Sequence, residues 1–236
     1  MTSSKTVARI AGSLYLLASL CFVFAVSLRS GIIKASDAAG TADNIRSSAW
    51  LFRMSLTSDL VSWTLFLLMA MALYVLLNHV QQMAAAAMVV FVVLLVAVGY
   101  LNDLNQYTAL TIATKAGYAK AFGADASNAL VMLALQTQSN GLVINEMFWG
   151  LWLLPLSYLV IRSRQFPRLV GILLIVAAVN WIAQFFADLL APGISYPGAL
   201  ARLGGAGEFV FIAWLLFFGI KLPTALTRRF RRSPGV

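Results

Sequence analysis

Apolar residues fall in long blocks separated by short polar breaks. Six blocks stand out, at about 8–28, 49–77, 83–110, 140–161, 169–190 and 207–222. Each is near the roughly 20 residues that a helix needs to cross a bilayer. The pattern predicts an all-α fold: one polytopic membrane domain over 1–236, a bundle of six transmembrane helices with 223–236 as a basic tail. The first block exceeds the apolar core of about 7–15 residues that marks a signal peptide, and further blocks follow it, which predicts an uncleaved first helix. Residues 29–48 form a polar connection with room for a short surface helix, and Ser127 to Gln138 fits an amphipathic helix. Pro155 falls inside the fourth block, where it is expected to kink the helix or be tolerated as membrane helices allow. Pro167 reads as a helix-start proline before the fifth block, and Pro223 as the stop after the sixth.

Composition strengthens this picture. The chain is 61% hydrophobic and 11% charged, with mean hydropathy +0.86, against about 25% charged residues in soluble domains. Its surface is therefore expected to face the lipid bilayer. The net charge of +9 does not indicate nucleic acid, because the basic residues sit in short connections and the tail and not on one folded face. With six spans, ten of the 17 Lys and Arg fall on the side of the termini, where the tight clusters (Arg162, Arg164 and Arg168; Arg228 to Arg232) also lie. Basic connections favour the cytoplasm, which predicts cytoplasmic termini. A single cysteine, Cys21, and a single histidine, His79, leave no zinc cluster. No nucleophile motif or phosphate loop is present, Gly204-Gly205-Ala206-Gly207 reads as a flexible helix lead-in, and no cofactor is implied.

The acids add a second asymmetry. All eight Asp and Glu fall in the connections or span halves opposite the termini. Acids contribute little to topology, so their segregation needs another cause. Asn180, Gln184 and Asp188 recur at helical spacing and share one face, as do Ser55, Asp59 and Ser62, and as do Asn102 and Gln106. Lipid penalises such faces, so they are expected to point inward. A polar pocket in the outer half of the bundle is predicted from Asp59, Asn102, Gln106, Glu146, Gln184, Asp188 and Glu208, with Arg53 or Arg202 as charge partners. Glu146 is expected near the start of the fourth helix, where the N-terminal dipole favours its charge. Gly150, one turn on, leaves room for a neighbouring helix or a ligand. The alternative is that these groups only join helices by hydrogen bonds. Trp149, Trp152, Trp181 and Trp214 read as packing or interfacial anchors.

Several segments resemble one family. They are Ala8-Arg9-Ile10-Ala11-Gly12 with Leu14 to Leu17, Asn44-Ile45 with Leu51-Phe52-Arg53, Phe166-Pro167-Arg168 with Gly171 to Leu174, and Gly207-Glu208-Phe209 with Trp214-Leu215-Leu216. Together they are similar to DUF4386, bacterial multi-span membrane proteins of unassigned function. The resemblance implies an inner-membrane helical bundle and supplies no substrate or catalytic residue. Three functions fit the residues: binding or transport of a small amphiphile, chemistry on a lipid-like substrate with acids such as Glu146 and Asp59 as general acid and base, or an accessory subunit whose polar groups only fix packing.

Overall fold

The computed structural model describes residues 4–191 and 196–219, leaving aside the side chains of 199–204. The tail and the side chain of Arg202 lie outside the described residues. The order is α1 (Ser4–Ser30), α2 (Ala38–Ser47), α3 (Ala49–Leu77), α4 (Gln82–Thr114), α5 (Ala116–Phe122), α6 (Ala124–Ser163), α7 (Arg168–Leu190) and α8 (Gly198–Ala213). One wide π-turn, Trp214–Phe218, continues α8. Among the described residues, five helices (α1, α3, α4, α6 and α7) are long and apolar enough to cross a membrane, and Gly205–Phe218 is a shorter apolar helix. Leu20, Val75, Leu101, Leu169 and Phe217 are among the large side chains left on the outside. The result is the expected all-helical polytopic bundle.

Two boundaries differ from the sequence reading. The predicted amphipathic segment and the fourth block are one helix: the 40 residues of α6 span about 60 Å at 1.5 Å per residue. A bilayer core is about 30 Å thick, so roughly half of α6 extends past it. Pro155 sits inside this helix without ending it. The other boundary is that of the last helix, which begins at Gly198, so the glycine-rich stretch is helical. A Cβ on Gly207 would stand 2.5 Å from the Leu173 carbonyl oxygen, so this glycine lets α8 lie against α7.

The core is in two parts. The larger runs through the membrane region, with Tyr15, Phe66, Met88, Trp152, Leu156 and Phe211 among its members. A smaller one joins Ile45, Phe52, Leu110, Val131 and Leu135. It packs α2 and the ends of α3 and α4 against the extended first half of α6, forming a cap at one end of the bundle. Local signals set up the cap: Asp37 accepts the Gly40 N–H at 2.7 Å to start α2, and Gly123 at φ 83° turns the chain from α5 into α6.

The polar first half of α3 has a plain structural use. Ser55, Ser58 and Ser62 donate to the backbone carbonyls of Ala25 (3.2 Å), Cys21 (2.8 Å) and Ala18 (2.8 Å). Small residues on α1 let α3 come this close, and each hydroxyl spends its polarity across the seam.

Candidate functional site: a buried ion network beside an aromatic cavity

The predicted site residues separate into two neighbouring groups. The first is solid. Arg29, at the end of α1, is buried and forms an ion pair with Asp59 of α3. The same guanidinium donates to Ser55 Oγ at 2.8 Å and to Gln106 Oε1 at 3.1 Å. The Gln106 amide donates in turn to Asp59 Oδ2 and Asp103 Oδ1, both at 3.1 Å. Trp63 Nε1 closes the chain on Asp103 Oδ2 at 3.0 Å. One guanidinium thus faces two carboxylates among α1, α3 and α4, with an amide tying all three together. A buried pair of this kind is sustained only by such extra bonds.

Asn102 lies outside this network. It donates to the Gln138 carbonyl at 2.8 Å and fills the space that Gly141 leaves on α6, where a Cβ would be 2.1 Å from Asn102 Oδ1. It serves the α4–α6 contact. The charge partner expected in Arg53 is instead Arg29; Arg53 is exposed.

The second group surrounds a cavity of about 390 Å³ between α1, α3, α6, α7 and α8. Glu146, Gln184 and Glu208 line it; Asp59, Asn102, Gln106 and Asp188 do not. The structure therefore does not bring Asp59 and Glu146 together. Glu208 is buried and receives three donors: Tyr15 Oη, Trp181 Nε1 at 3.0 Å and Trp149 Nε1 at 3.3 Å. Two of the four tryptophans expected as packing or interfacial anchors thus hold a carboxylate in place. Trp149 is the hub of an aromatic wall, with ring centroids 5.4 Å from Phe66 and 5.9 Å from both Trp63 and Trp181. Trp63 also belongs to the first group, so one indole joins the ion network to the cavity. The other two tryptophans do pack: Trp152 is fully buried and Trp214 stacks on Phe218 at 4.5 Å.

Glu146 occupies a different setting from the one expected. It lies in the middle of α6, far from a helix N-terminus, so the dipole does not favour its charge. Gln184 donates to its Oε1 at 2.7 Å, and Oε2 has no partner. Asp188 follows Gln184 by one turn of α7 and is half-buried. The face of Asn180, Gln184 and Asp188 points inward as its spacing predicted; Asn180 is buried and accepts from Tyr196 Oη at 2.9 Å.

Asn145 was outside the predicted set. It lines the cavity, is 2% exposed, and neither its amide nitrogen nor its amide oxygen has a partner. A buried polar group without a partner costs about 1–3 kcal/mol, so a fold keeps such groups for a reason. Gly150 is taken up by the helix, not the cavity: its missing Cβ would meet Ile182 at 2.4 Å and the Ala178 carbonyl at 2.8 Å. Among the described residues, no group of three His, Cys, Asp or Glu is placed to hold a metal ion.

No curated protein and no solved structure matches the chain. A family model does, over residues 10–219, a range that takes in the central Phe166-Pro167-Arg168 stretch and the Gly207-Glu208-Phe209 segment of α8 that carries the cavity carboxylate. By that match, the chain belongs to the family described as Domain of unknown function (DUF4386).

Proposed function

We propose that this protein binds a small amphiphile within the bilayer of the bacterial inner membrane, in the cavity between α1, α3, α6, α7 and α8. One observation carries the reading. The cavity has the volume of a small-molecule site, typically about 300–1,000 Å³, and joins an aromatic wall to the polar side chains of Asn145, Glu146 and Gln184. A contact built only to join helices leaves no such space, as where Asn102 fills the gap left by Gly141. An apolar tail that comes from lipid gains packing contacts with Phe22, Phe66 and Trp149 rather than hydrophobic transfer energy.

Native mass spectrometry of protein extracted in a mild detergent tests this. Wild type is expected to carry a discrete small-molecule adduct. Ser19→Phe, which places a ring in the cavity from a half-buried lining position, is expected to lose it while the protein stays folded. A wild type without any adduct, or a Ser19→Phe protein that keeps the same occupancy, overturns the reading.

A further inference from the structure

We infer that the amphiphile's head group is a cationic hydrogen-bond donor, an amine or ammonium group, seated at Glu146. This rests on the cavity being a binding site and goes further by fixing the chemistry of what it takes.

The two cavity carboxylates differ in what they still offer. Glu208 is already engaged by a tyrosine and two indoles, all of which donate to it. Glu146 has one oxygen held by Gln184 and the other without a partner. The unpartnered side-chain atoms of the cavity's lining residues are uneven in kind. Glu146 Oε2, Gln184 Oε1 and Asn145 Oδ1 are acceptors, and Asn145 Nδ2 is the single donor. A guest that these side chains turn to meet must bring several N–H or O–H groups, and an ammonium brings three and no acceptor.

Charge points the same way. The described lining residues include two carboxylates and no Lys, Arg or His, and Asp188 adds a third acid one helical turn from Gln184. The walls above Glu146 are aromatic faces. Trp149 and Trp181 touch each other in a tilted pair, centroids 5.9 Å apart, so a cation would lie beside the pair and not between its rings. A carboxylate guest would meet like charge in a low-dielectric site. A neutral alcohol brings one O–H for these acceptors and gains nothing from the charge.

Three probes with the same alkyl chain separate the possibilities: decylamine (protonated at neutral pH), decanol and decanoate, titrated into the full chain in lipid nanodiscs. Binding is followed by the tryptophan emission of Trp63, Trp149 and Trp181. The ammonium is expected to saturate at a concentration at least tenfold below that for decanol, with decanoate weakest. Glu146→Gln keeps the shape and the Gln184 contact, and is expected to erase the preference for ammonium over decanol while decanol binding stays. Equal binding of ammonium and decanol, tighter binding of decanoate, or a preference that survives in Glu146→Gln overturns the head-group inference and leaves the cavity reading standing. Absence of saturable binding by all three overturns the cavity reading itself. If Glu146→Gln does not fold, the order of the three probes on wild type decides alone.

Discussion

At the scale of single residues, Arg29 is the group on which most polar atoms converge. It forms the ion pair with Asp59 and also holds Ser55 and Gln106. Removing one partner of a buried ion pair costs about 3–5 kcal/mol, because the other charge stays buried and uncompensated. Arg29→Met is therefore expected to lower the unfolding free energy by about that amount, and Asp59→Asn added to it to restore part of the loss. Arg53→Met, at an exposed position, is expected to stay within about 0.5 kcal/mol. Denaturant titration of the three variants in one detergent checks the order; an Arg29→Met protein as stable as wild type would remove the network from any structural role. The pairing was partly readable from sequence. Ala8, Tyr15 and Arg29 fall on one seven-residue repeat of α1, with Ala11, Ala18 and Ala25 on its companion seam, and all six are buried. That stripe marks Arg29 as inward-facing, whereas the hydropathy break after Leu28 makes it look like a loop residue. Periodicity could not say which acid it would meet, since that depends on how α1, α3 and α4 cross. Asn145 was illegible for a related reason: neighbouring residues on a helix point about 100° apart, yet both Asn145 and Glu146 border the cavity.

Among elements, α6 shows most clearly where hydropathy stops being informative. Its apolar half was found within a few residues, but its polar half reads as a separate helix because hydropathy falls while the helical backbone continues. The cap supplies what the sequence reading lacked: Val131 and Leu135 pack on Ile45, Phe52 and Leu110, so tertiary contacts keep the first half of α6 helical outside the lipid. The α6–α7 contact depends on Gly150, where even a methyl group would press on the Ala178 backbone at 2.8 Å. Overpacking of this kind costs about 1–3 kcal/mol. Gly150→Ala is expected to destabilise the protein by that amount. It should also disturb the emission of neighbouring Trp149. Gly117→Ala in α5, where nothing lies within 4 Å of the added carbon, is expected to change stability in the opposite direction, since alanine exceeds glycine in helix preference by up to about 1 kcal/mol. Equal effects at the two sites, read from thermal unfolding, would show that α6 and α7 can part without cost.

For the whole molecule, the cap, the acids and the basic connections together predict an orientation. The cap lies at the end of the bundle where α1 finishes and α3 begins, opposite the α3–α4 turn at Asn78 and the α6–α7 turn at Gln165. Those two turns touch, His79 and Gln165 meeting at 3.2 Å. The turn at the uncapped end between α6 and α7 carries Arg162, Arg164 and Arg168, while Asp37, Asp43 and Asp125 belong to the cap. Moving a cluster of positive charge through the bilayer against the membrane potential is unfavourable by about 2.3 kcal/mol per charge per 100 mV, so the uncapped end should be cytoplasmic and the cap periplasmic. Ala126, in the first turn of α6, and Gln82, at the start of α4, are exposed at opposite ends. In a Cys21→Ser background, Ala126→Cys is expected to react with a membrane-impermeant maleimide once the outer membrane alone is opened. Gln82→Cys should react only after the inner membrane is lysed. The reverse pattern would invert the protein, and with it the side from which the cavity beside Glu146 is reached, because Glu146 stands on the stretch of α6 that leads toward the cap and Glu208 deeper along α8.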